Sequence, residues 1–183
     1  MLDPQQNLDY LKYMVETDDH KQLLNELMTA YGKDVWNYAF SITRKWDMAD
    51  DITQEVFIKV FRNMNAFRRD ASVKTWLLTI TRNAAIDFKR SAFLRKVTLM
   101  DTYEDRGHRQ SAESEMMENS AVSELWELVL KLPAKYREAI ILFAHHQLSL
   151  KEIASVLGVS EGTVKSRMFH ARQKLQKMKE TNR

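Results

Sequence analysis

Residues 148–175 read Leu-Ser-Leu-Lys-Glu-Ile-Ala-Ser-Val-Leu-Gly-Val-Ser-Glu-Gly-Thr-Val-Lys-Ser-Arg-Met-Phe-His-Ala-Arg-Gln-Lys-Leu. Ser149 is placed to cap a first helix, and Ile153 and Leu157 lie one turn apart on the apolar face of that helix. Gly158 ends it, because glycine adopts the left-handed conformation of a helix terminus without steric strain. The pattern predicts two helices joined by a tight turn, the arrangement of a helix-turn-helix.

The second helix of this stretch has a cationic outer face. Ser160 is placed to cap it, and Val164 and Met168 face inward. The outward positions carry cations, hydrogen-bonding groups and a ring: Lys165, Ser166, Phe169, His170 and Arg172. Since the second helix of a helix-turn-helix lies in the major groove of DNA, these side chains are candidate DNA contacts. A plain helical hairpin joined by a glycine is the alternative interpretation.

The composition favours an all-α protein. The chain has 183 residues, enough for one domain or two small ones, and only 4 Gly and 2 Pro interrupt its helix-forming residues. A net charge of +3 permits nucleic-acid binding without requiring it. Cysteine is absent, which excludes disulfides and thiolate metal sites and fits a reducing cytoplasm.

Neither a signal peptide nor a membrane span is predicted. The N-terminus lacks a basic segment followed by an apolar run. No apolar stretch approaches the roughly 20 residues that cross a bilayer. We therefore expect a cytoplasmic location.

Hydrophobic periodicity divides the chain into two helical domains. We expect a first domain over residues 1–94 and a second over residues 121–183. Acidic and small polar residues dominate 95–120, which we interpret as a flexible acidic linker. Within the first domain, we expect Gly32 to divide a long helical segment and Asp47 to cap the helix that follows.

The segment 47–63 predicts an amphipathic helix. Ile52, Val56 and Val60 form its buried stripe. Its outer face carries Asp51, Gln54, Glu55, Ile58 and Arg62. Clustered carboxylates also occur in acid–base and metal sites. Because no histidine, nucleophile or phosphate-binding loop accompanies them, we favour a solvated helix face.

The segment 64–74 breaks the helical period and mixes a ring with cations and a hydroxyl: Phe67, Arg68, Arg69, Ser72 and Lys74. Such a loop suits single-stranded nucleic acid, because cations bind phosphates and rings stack on bases. A surface loop with a buried ring is an equal alternative. The helix that follows, from Thr75 to Arg90, has a basic C-terminal end that predicts a phosphate track.

The sequence predicts no metal, no cofactor and no enzymatic activity. His145 and His146 are adjacent, so their side chains diverge if both lie on a helix. No third ligand lies at a sequence spacing that is typical of metal sites. There is no G-x-S-x-G, Walker loop or metal triad. We therefore do not expect an enzyme.

Four stretches in this order resemble the sigma-70 family of bacterial RNA polymerase initiation factors, and the length and two-domain plan resemble its extracytoplasmic-function (ECF) subfamily. Residues 49–57 resemble the polymerase-binding helix. Residues 67–77 and 80–87 resemble the region for the −10 promoter element. Residues 132–142 and 151–172 resemble the domain that binds the −35 element. The resemblance covers about residues 22–94 and 122–178.

The resemblance implies a role for each matching position. Contacts to the −35 element would come from Thr163, Lys165, Ser166, Arg167, Phe169, His170 and Arg172. Contacts to the melted −10 element would come from Phe67, Arg68, Arg69, Ser72, Lys74, Trp76, Arg82 and Asn83. Polymerase contacts would come from Asp51, Gln54, Glu55 and Arg62.

The resemblance also implies the partners. These are core RNA polymerase, through the clamp helices of its largest subunit and its flap region, and promoter DNA. An anti-sigma factor, often membrane-bound in this family, is a further expected partner, and no small-molecule substrate is expected. Two alternatives stay open: a dimeric helix-turn-helix regulator that works without polymerase, and an interaction protein that docks on polymerase but does not melt promoters.

Overall fold

The structure, a computed structural model, describes residues 20–64, 71–98 and 120–181. Within these ranges it contains seven α-helices and no strand, which confirms the all-α prediction. The helices are α1 (His20–Thr43), α2 (Trp46–Arg62), α3 (Val73–Thr98), α4 (Ser120–Lys131), α5 (Ala134–Ala144), α6 (Leu150–Leu157) and α7 (Glu161–Thr181).

The first three helices form an N-terminal domain, in which each packs against the other two. The predicted stripe of α2 is confirmed, because Ile52, Val56 and Val60 are all fully buried. Leu77 and Leu78 of α3 complete this core from the opposite side. Burying a side chain of this size stabilises the fold by about 1.5–3 kcal/mol, so this core positions the outer face of α2.

Two predicted helix boundaries in this domain are wrong. Gly32 does not divide α1, which runs without interruption from His20 to Thr43. A helical glycine costs only about 1 kcal/mol, and buried Tyr31 and Val35 on the same helix outweigh it. Asp47 does not cap α2, because the helix begins at Trp46 and Lys45 is its N-cap.

The predicted helix-turn-helix is confirmed as α6 and α7. Ser149 and Glu152 form a capping box, in which the Ser149 side chain accepts from the Glu152 backbone N–H and Glu152 accepts from the Ser149 backbone. Gly158 adopts the left-handed conformation with φ of 63°. Val164 and Met168 of α7 are buried, as predicted, so the opposite face of α7 points away from the core.

The sequence predicts a helix from Ala134 to about His146, but α5 ends at Ala144. The helical period of this segment also predicts a buried Phe143, but this side chain is 40% exposed. Phe143 lies in the last turn of α5, and its ring centroid lies 5.9 Å from the Arg172 guanidinium. At the other end, Arg137 is buried and donates to the carbonyls of Leu130 and Leu132, which ties α5 to the end of α4.

The two domains pack against each other. Helix α3 contacts α6, and α1 contacts α5, so the buried residues of both domains form one continuous cluster. Helix α3 continues to Thr98, beyond the predicted domain end at residue 94, and α4 begins at Ser120. The central part of the predicted linker, residues 99–119, lies outside the described residues. The assignment of 95–120 as a linker stays a prediction.

None of the helices in the described ranges is long and apolar enough to cross a membrane.

Candidate nucleic-acid interface

The outer face of α7 is open to solvent. Phe169 is 58% exposed, and the remaining exposed members of the predicted −35 set are Lys165, Ser166, His170 and Arg172. Buried Val164, Met168 and Ala171 fix the opposite face of the helix. The exposed residues of the predicted −35 set therefore form one accessible cationic surface, a feature that suits a major groove.

Two members of the predicted −35 set are less accessible. Thr163 and Arg167 are half-buried. The Thr163 backbone N–H donates to Ser160 Oγ at 3.2 Å, and the two hydroxyls lie 3.0 Å apart. Ser160 thus caps α7 as predicted, and Thr163 belongs to the same hydrogen-bonded turn.

Ser72, a predicted −10 contact, lies at the start of α3 and is engaged by the C-terminal domain. Its Oγ accepts from the Thr75 backbone N–H at 3.1 Å. Ser72 and Thr75 then both donate to Glu152 Oε1, at 3.3 Å and 3.0 Å. One carboxylate therefore closes the capping box of α6 with one oxygen and binds the N-terminus of α3 with the other.

These hydrogen bonds change the acidity of Glu152. Burial raises the pKa of its carboxyl, but hydrogen bonds from Ser149, Thr75 and Ser72 outweigh that effect, so the pKa lies below its ordinary value. The carboxylate is therefore ionised at neutral pH, the form that accepts all of these hydrogen bonds.

Two cations of the predicted −10 set are paired with carboxylates. Arg82 Nε donates to Glu138 Oε2 at 2.7 Å, which joins α3 to α5 across the domain contact. Lys74 Nζ lies 3.1 Å from Asp34 Oδ2, within the N-terminal domain. Both cations are therefore neutralised by carboxylates in this arrangement.

Trp76 and Asn83, the other described members of the −10 set, line a shallow cavity of about 270 Å³ between α2 and α3. Lys59, Asn63 and Ile80 complete its walls. An aromatic ring, two amides and an ammonium group offer stacking, hydrogen bonding and charge to a nucleotide. Phe67, Arg68 and Arg69 lie outside the described residues, so their predicted roles stay predictions.

The predicted polymerase face of α2 is accessible. Asp51, Gln54 and Arg62 are exposed, and half-buried Glu55 pairs with Lys59 one turn later at 3.5 Å. The same face presents two apolar side chains outside the predicted contact set: Ile58, 45% exposed, and Phe61, 40% exposed. The surface is thus polar at its edges and apolar along its length.

Four residues that contribute to these surfaces were missed from the sequence: Lys59, Asn63, Glu138 and Glu152. The Ser149–Glu152 spacing of a capping box was readable. The contact of Glu152 with Thr75 was not, because these residues are 77 positions apart.

Comparison with protein families places both domains. Residues 27–109 match the model described as Sigma-70 region 2, and residues 123–175 match Sigma-70, region 4. The ECF RNA polymerase sigma factor SigM of Bacillus subtilis is 30% identical over 152 residues, which cover 83% of this chain and 92% of SigM. The chain belongs to the ECF sigma factors of the sigma-70 family. It is a promoter-directing subunit of RNA polymerase and not an enzyme.

Further relatives agree with this membership. SigV of Bacillus subtilis is 31% identical over 151 residues, covering 82% of this sigma factor and 87% of SigV. A solved structure of sigma factor RpoE with the anti-sigma factor NepR from Bartonella quintana superposes with a TM-score of 0.64 at 25% identity, covering 91% of this chain and 100% of that one. CnrH, solved with the cytosolic domain of CnrY, shares the fold at 23% identity and a TM-score of 0.69, covering 99% and 100% of the two chains.

Proposed function

We propose that this sigma factor reads the −35 element with the exposed face of α7. The observation that supports this is the accessible cationic surface around Lys165 and Phe169, held by the buried opposite face of the helix. The proposed contacts are Thr163, Lys165, Ser166, Arg167, Phe169, His170 and Arg172. Base edges in the major groove identify the sequence, whereas cations at the edges of the helix bind phosphates.

The −10 element is proposed to bind at the N-terminal domain. The cavity lined by Trp76 and Asn83 supports this, because a ring and an amide suit an unstacked nucleotide. Arg82 and Lys74 provide cations for the strand, and Ser72 with Phe67–Arg69 provides the adjoining loop. Opening DNA costs about 1.4 kcal/mol per base-pair step, and capture of a single strand offsets that cost.

Polymerase docking is assigned to the exposed face of α2. Asp51, Gln54, Glu55 and Arg62 are the proposed contacts with the clamp helices of the largest subunit. Exposed Ile58 and Phe61 add apolar area to the same surface, which fits the apolar centre and polar rim of protein interfaces. The C-terminal domain, residues 121–183, would meet the flap region while residues 1–94 hold the clamp.

Engagement of the −10 strand requires the two domains to separate. Arg82 is bound to Glu138, and Ser72 to Glu152, so these side chains are not available to DNA while α3 packs against the C-terminal domain. The Arg82 guanidinium cannot bind the Glu138 carboxylate and a DNA phosphate in the same geometry at once. Promoter binding and the domain contact therefore compete. Polymerase would favour the separated form by binding each domain at a different site.

An anti-sigma factor is the remaining proposed partner. The complex of RpoE with NepR shows that a relative of the same fold is held by such a protein. The corresponding location is the cytoplasm, at the nucleoid when active, and at the membrane where the inhibitor is anchored. A pull-down from resting cells that recovered no inhibitor would count against this partner.

Run-off transcription with bacterial core RNA polymerase and promoter fragments tests the two-surface assignment. We expect specific transcripts only when the chain is added. Lys165→Ala should reduce them by weakening −35 binding, and Trp76→Ala by weakening −10 capture. Lys131→Ala is the matched control, since it removes an exposed cation from α4, away from both surfaces.

The two variants distinguish the role of the −35 surface from that of the −10 surface. A promoter with a pre-melted −10 element should rescue Trp76→Ala more than Lys165→Ala, because base-pair opening is then no longer required. No transcript at all, together with tight binding of the free chain to duplex DNA, would contradict the proposal and favour a regulator that works without polymerase.

A further inference from the structure

A cluster of Asp34, His145 and His146 lies where α1 of the N-terminal domain meets the end of α5. Each residue offers one oxygen or nitrogen atom, and these atoms all lie within 4.8 Å of one another. His146 is 1% exposed, and neither of its ring nitrogens lies within hydrogen-bond distance of a partner, although Nδ1 faces Asp34 Oδ1 at 3.6 Å. A neutral imidazole keeps a lone pair on one of its two ring nitrogens, so this buried ring can bind a ligand.

The end of α5 brings the two histidines together. Helix α5 ends at Ala144 with His145 as its C-cap, and Gln147 follows with a positive φ of 57°. The expectation that adjacent histidines diverge depended on a helix that continued through both. In the turn that forms instead, the two ring centroids lie 4.8 Å apart.

We propose that Asp34, His145 and His146 form a binding site for a divalent transition-metal ion, such as Zn²⁺ or Co²⁺, that bridges the two domains and holds them in contact. Two imidazole nitrogens and one carboxylate oxygen are a donor set that suits these ions. Water would complete the coordination from the solvent side, where His145 is exposed.

The distances fit this assignment with small side-chain rotations. Donor atoms of a tetrahedral ion stand about 3.4 Å apart, given metal–ligand bonds of about 2.0–2.1 Å. His146 Nδ1 already lies 3.6 Å from Asp34 Oδ1. The second oxygen, Oδ2, lies 3.1 Å from Lys74 Nζ, so the ammonium group and the ion would use different oxygens of one carboxylate.

The surrounding groups support the ligands. Asn37 Nδ2 lies 3.2 Å from His145 Nε2. A ligating imidazole binds the ion with one nitrogen and is oriented through the other by a hydrogen bond, and Asn37 is placed to supply that bond. Because an amide offers a donor or an acceptor, either tautomer of His145 can be held.

Occupancy of this site would stabilise the closed arrangement. Asp34 belongs to α1, whereas both histidines belong to the C-terminal domain. A complete set of three ligands therefore exists only while the domains are in contact. A ligand that binds one form only shifts the equilibrium towards it, so the ion would oppose separation of the domains.

The binding part of the proposal is tested with the full-length chain, stripped of metal with a chelator, by calorimetric titration with Zn²⁺ and by the visible absorption of bound Co²⁺. We expect one saturable site. His145→Ala and Asp34→Asn should each weaken binding by more than about tenfold. His20→Ala, which removes an imidazole outside the cluster, is the matched control and should bind as the parent chain does.

The absence of cysteine allows the bridging part to be measured with two fluorophores, on cysteines introduced at exposed Met28 of α1 and Gln173 of α7. Zn²⁺ should raise energy transfer and the thermal midpoint, and His145→Ala should abolish both effects. Binding that is equal in His145→Ala, Asp34→Asn and the parent overturns the site. Binding that leaves energy transfer unchanged overturns the bridge. Neither readout depends on the proposed DNA contacts.

Discussion

Arg82 Nε donates a 2.7 Å hydrogen bond to Glu138 Oε2, which links a proposed −10 contact to the −35 domain. The two side chains are only 21% and 11% exposed, so water screens this pair less than an ordinary surface ion pair. The domain contact therefore holds a proposed promoter-binding side chain in a bound, neutralised form.

We predict that Glu138→Gln favours separation of the domains. Losing the charge of one partner should weaken the contact by about 1 kcal/mol, which corresponds to about fivefold in the population of the separated form. The free variant should therefore bind a single-stranded −10 oligonucleotide more tightly, as measured by fluorescence anisotropy. Glu127→Gln, on the exposed face of α4, is the control. Equal affinities for the two variants would refute the competition.

The carboxylate of Glu152 should make the stability of the fold depend on pH. Hydrogen bonds from Ser149, Thr75 and Ser72 outweigh burial and hold its pKa below the ordinary value of 4.5. The unfolded chain therefore binds this proton more readily than the folded chain. The stabilising contribution is complete above pH 4.5 and is lost as the pH falls through the lower, folded pKa.

Glu152→Gln tests this dependence. At neutral pH the variant should lose about 0.3–1 kcal/mol in the free energy of unfolding, the value of a negative charge in the first turn of a helix, because glutamine can still close the capping box. At acidic pH the difference from the parent chain should shrink, because the parent carboxyl is then protonated. Urea denaturation across this pH range measures both. A deficit that stayed constant with pH would contradict the role of the ionised carboxylate.

Local features of the C-terminal domain were predictable because each depends on a few adjacent residues. The cap at Ser149, the left-handed Gly158 and the buried face of α7 follow from backbone geometry and helical periodicity, and all are confirmed. Gly32 was mispredicted for the opposite reason. Its effect on α1 depends on tertiary packing, which outweighs a single propensity difference.

The domain contact could not be predicted from the sequence, because the residues that form it are far apart along the chain. Glu152 meets Thr75 across 77 positions, and Arg82 meets Glu138 across 56. No local pattern indicates which acidic residue a given cation will meet. His145 and His146 show a related difficulty, because their convergence depends on α5 ending one residue before them. The residue at which a helix ends depends on packing and turn geometry together.

The cavity between α2 and α3 predicts a −10 role for a residue outside the resemblance-based set. Asn63 lines it opposite Asn83. Asn63→Ala should weaken binding of a pre-melted promoter by holoenzyme by about 1 kcal/mol, the value of one hydrogen bond. Because Asn63 Nδ2 also donates to the Lys59 carbonyl at the end of α2, binding is compared well below the thermal midpoint of the variant. Asn25→Ala, on the exposed face of α1, should leave binding unchanged. A normal affinity for Asn63→Ala would exclude this wall of the cavity from the −10 site.

The two glycines Gly32 and Gly158 should respond oppositely to the same substitution. Gly32 lies inside α1, and an added Cβ would meet no atom within 4 Å. Gly32→Ala should therefore raise the free energy of unfolding by about 0.5–1 kcal/mol, because alanine loses less backbone entropy in a helix. The Gly32→Ala variant should therefore have a higher thermal midpoint than the parent chain and unchanged transcription.

Gly158→Ala should lower the free energy of unfolding by about 1–2 kcal/mol. The reason is conformational, since the position has open space around it but a φ of +63°, where a Cβ is strained. Gly158→Asn should recover part of the loss, because asparagine tolerates the left-handed region. Urea denaturation of all three variants measures these differences. If Gly158→Ala were as stable as the parent, the tight turn between α6 and α7 would not require its left-handed residue.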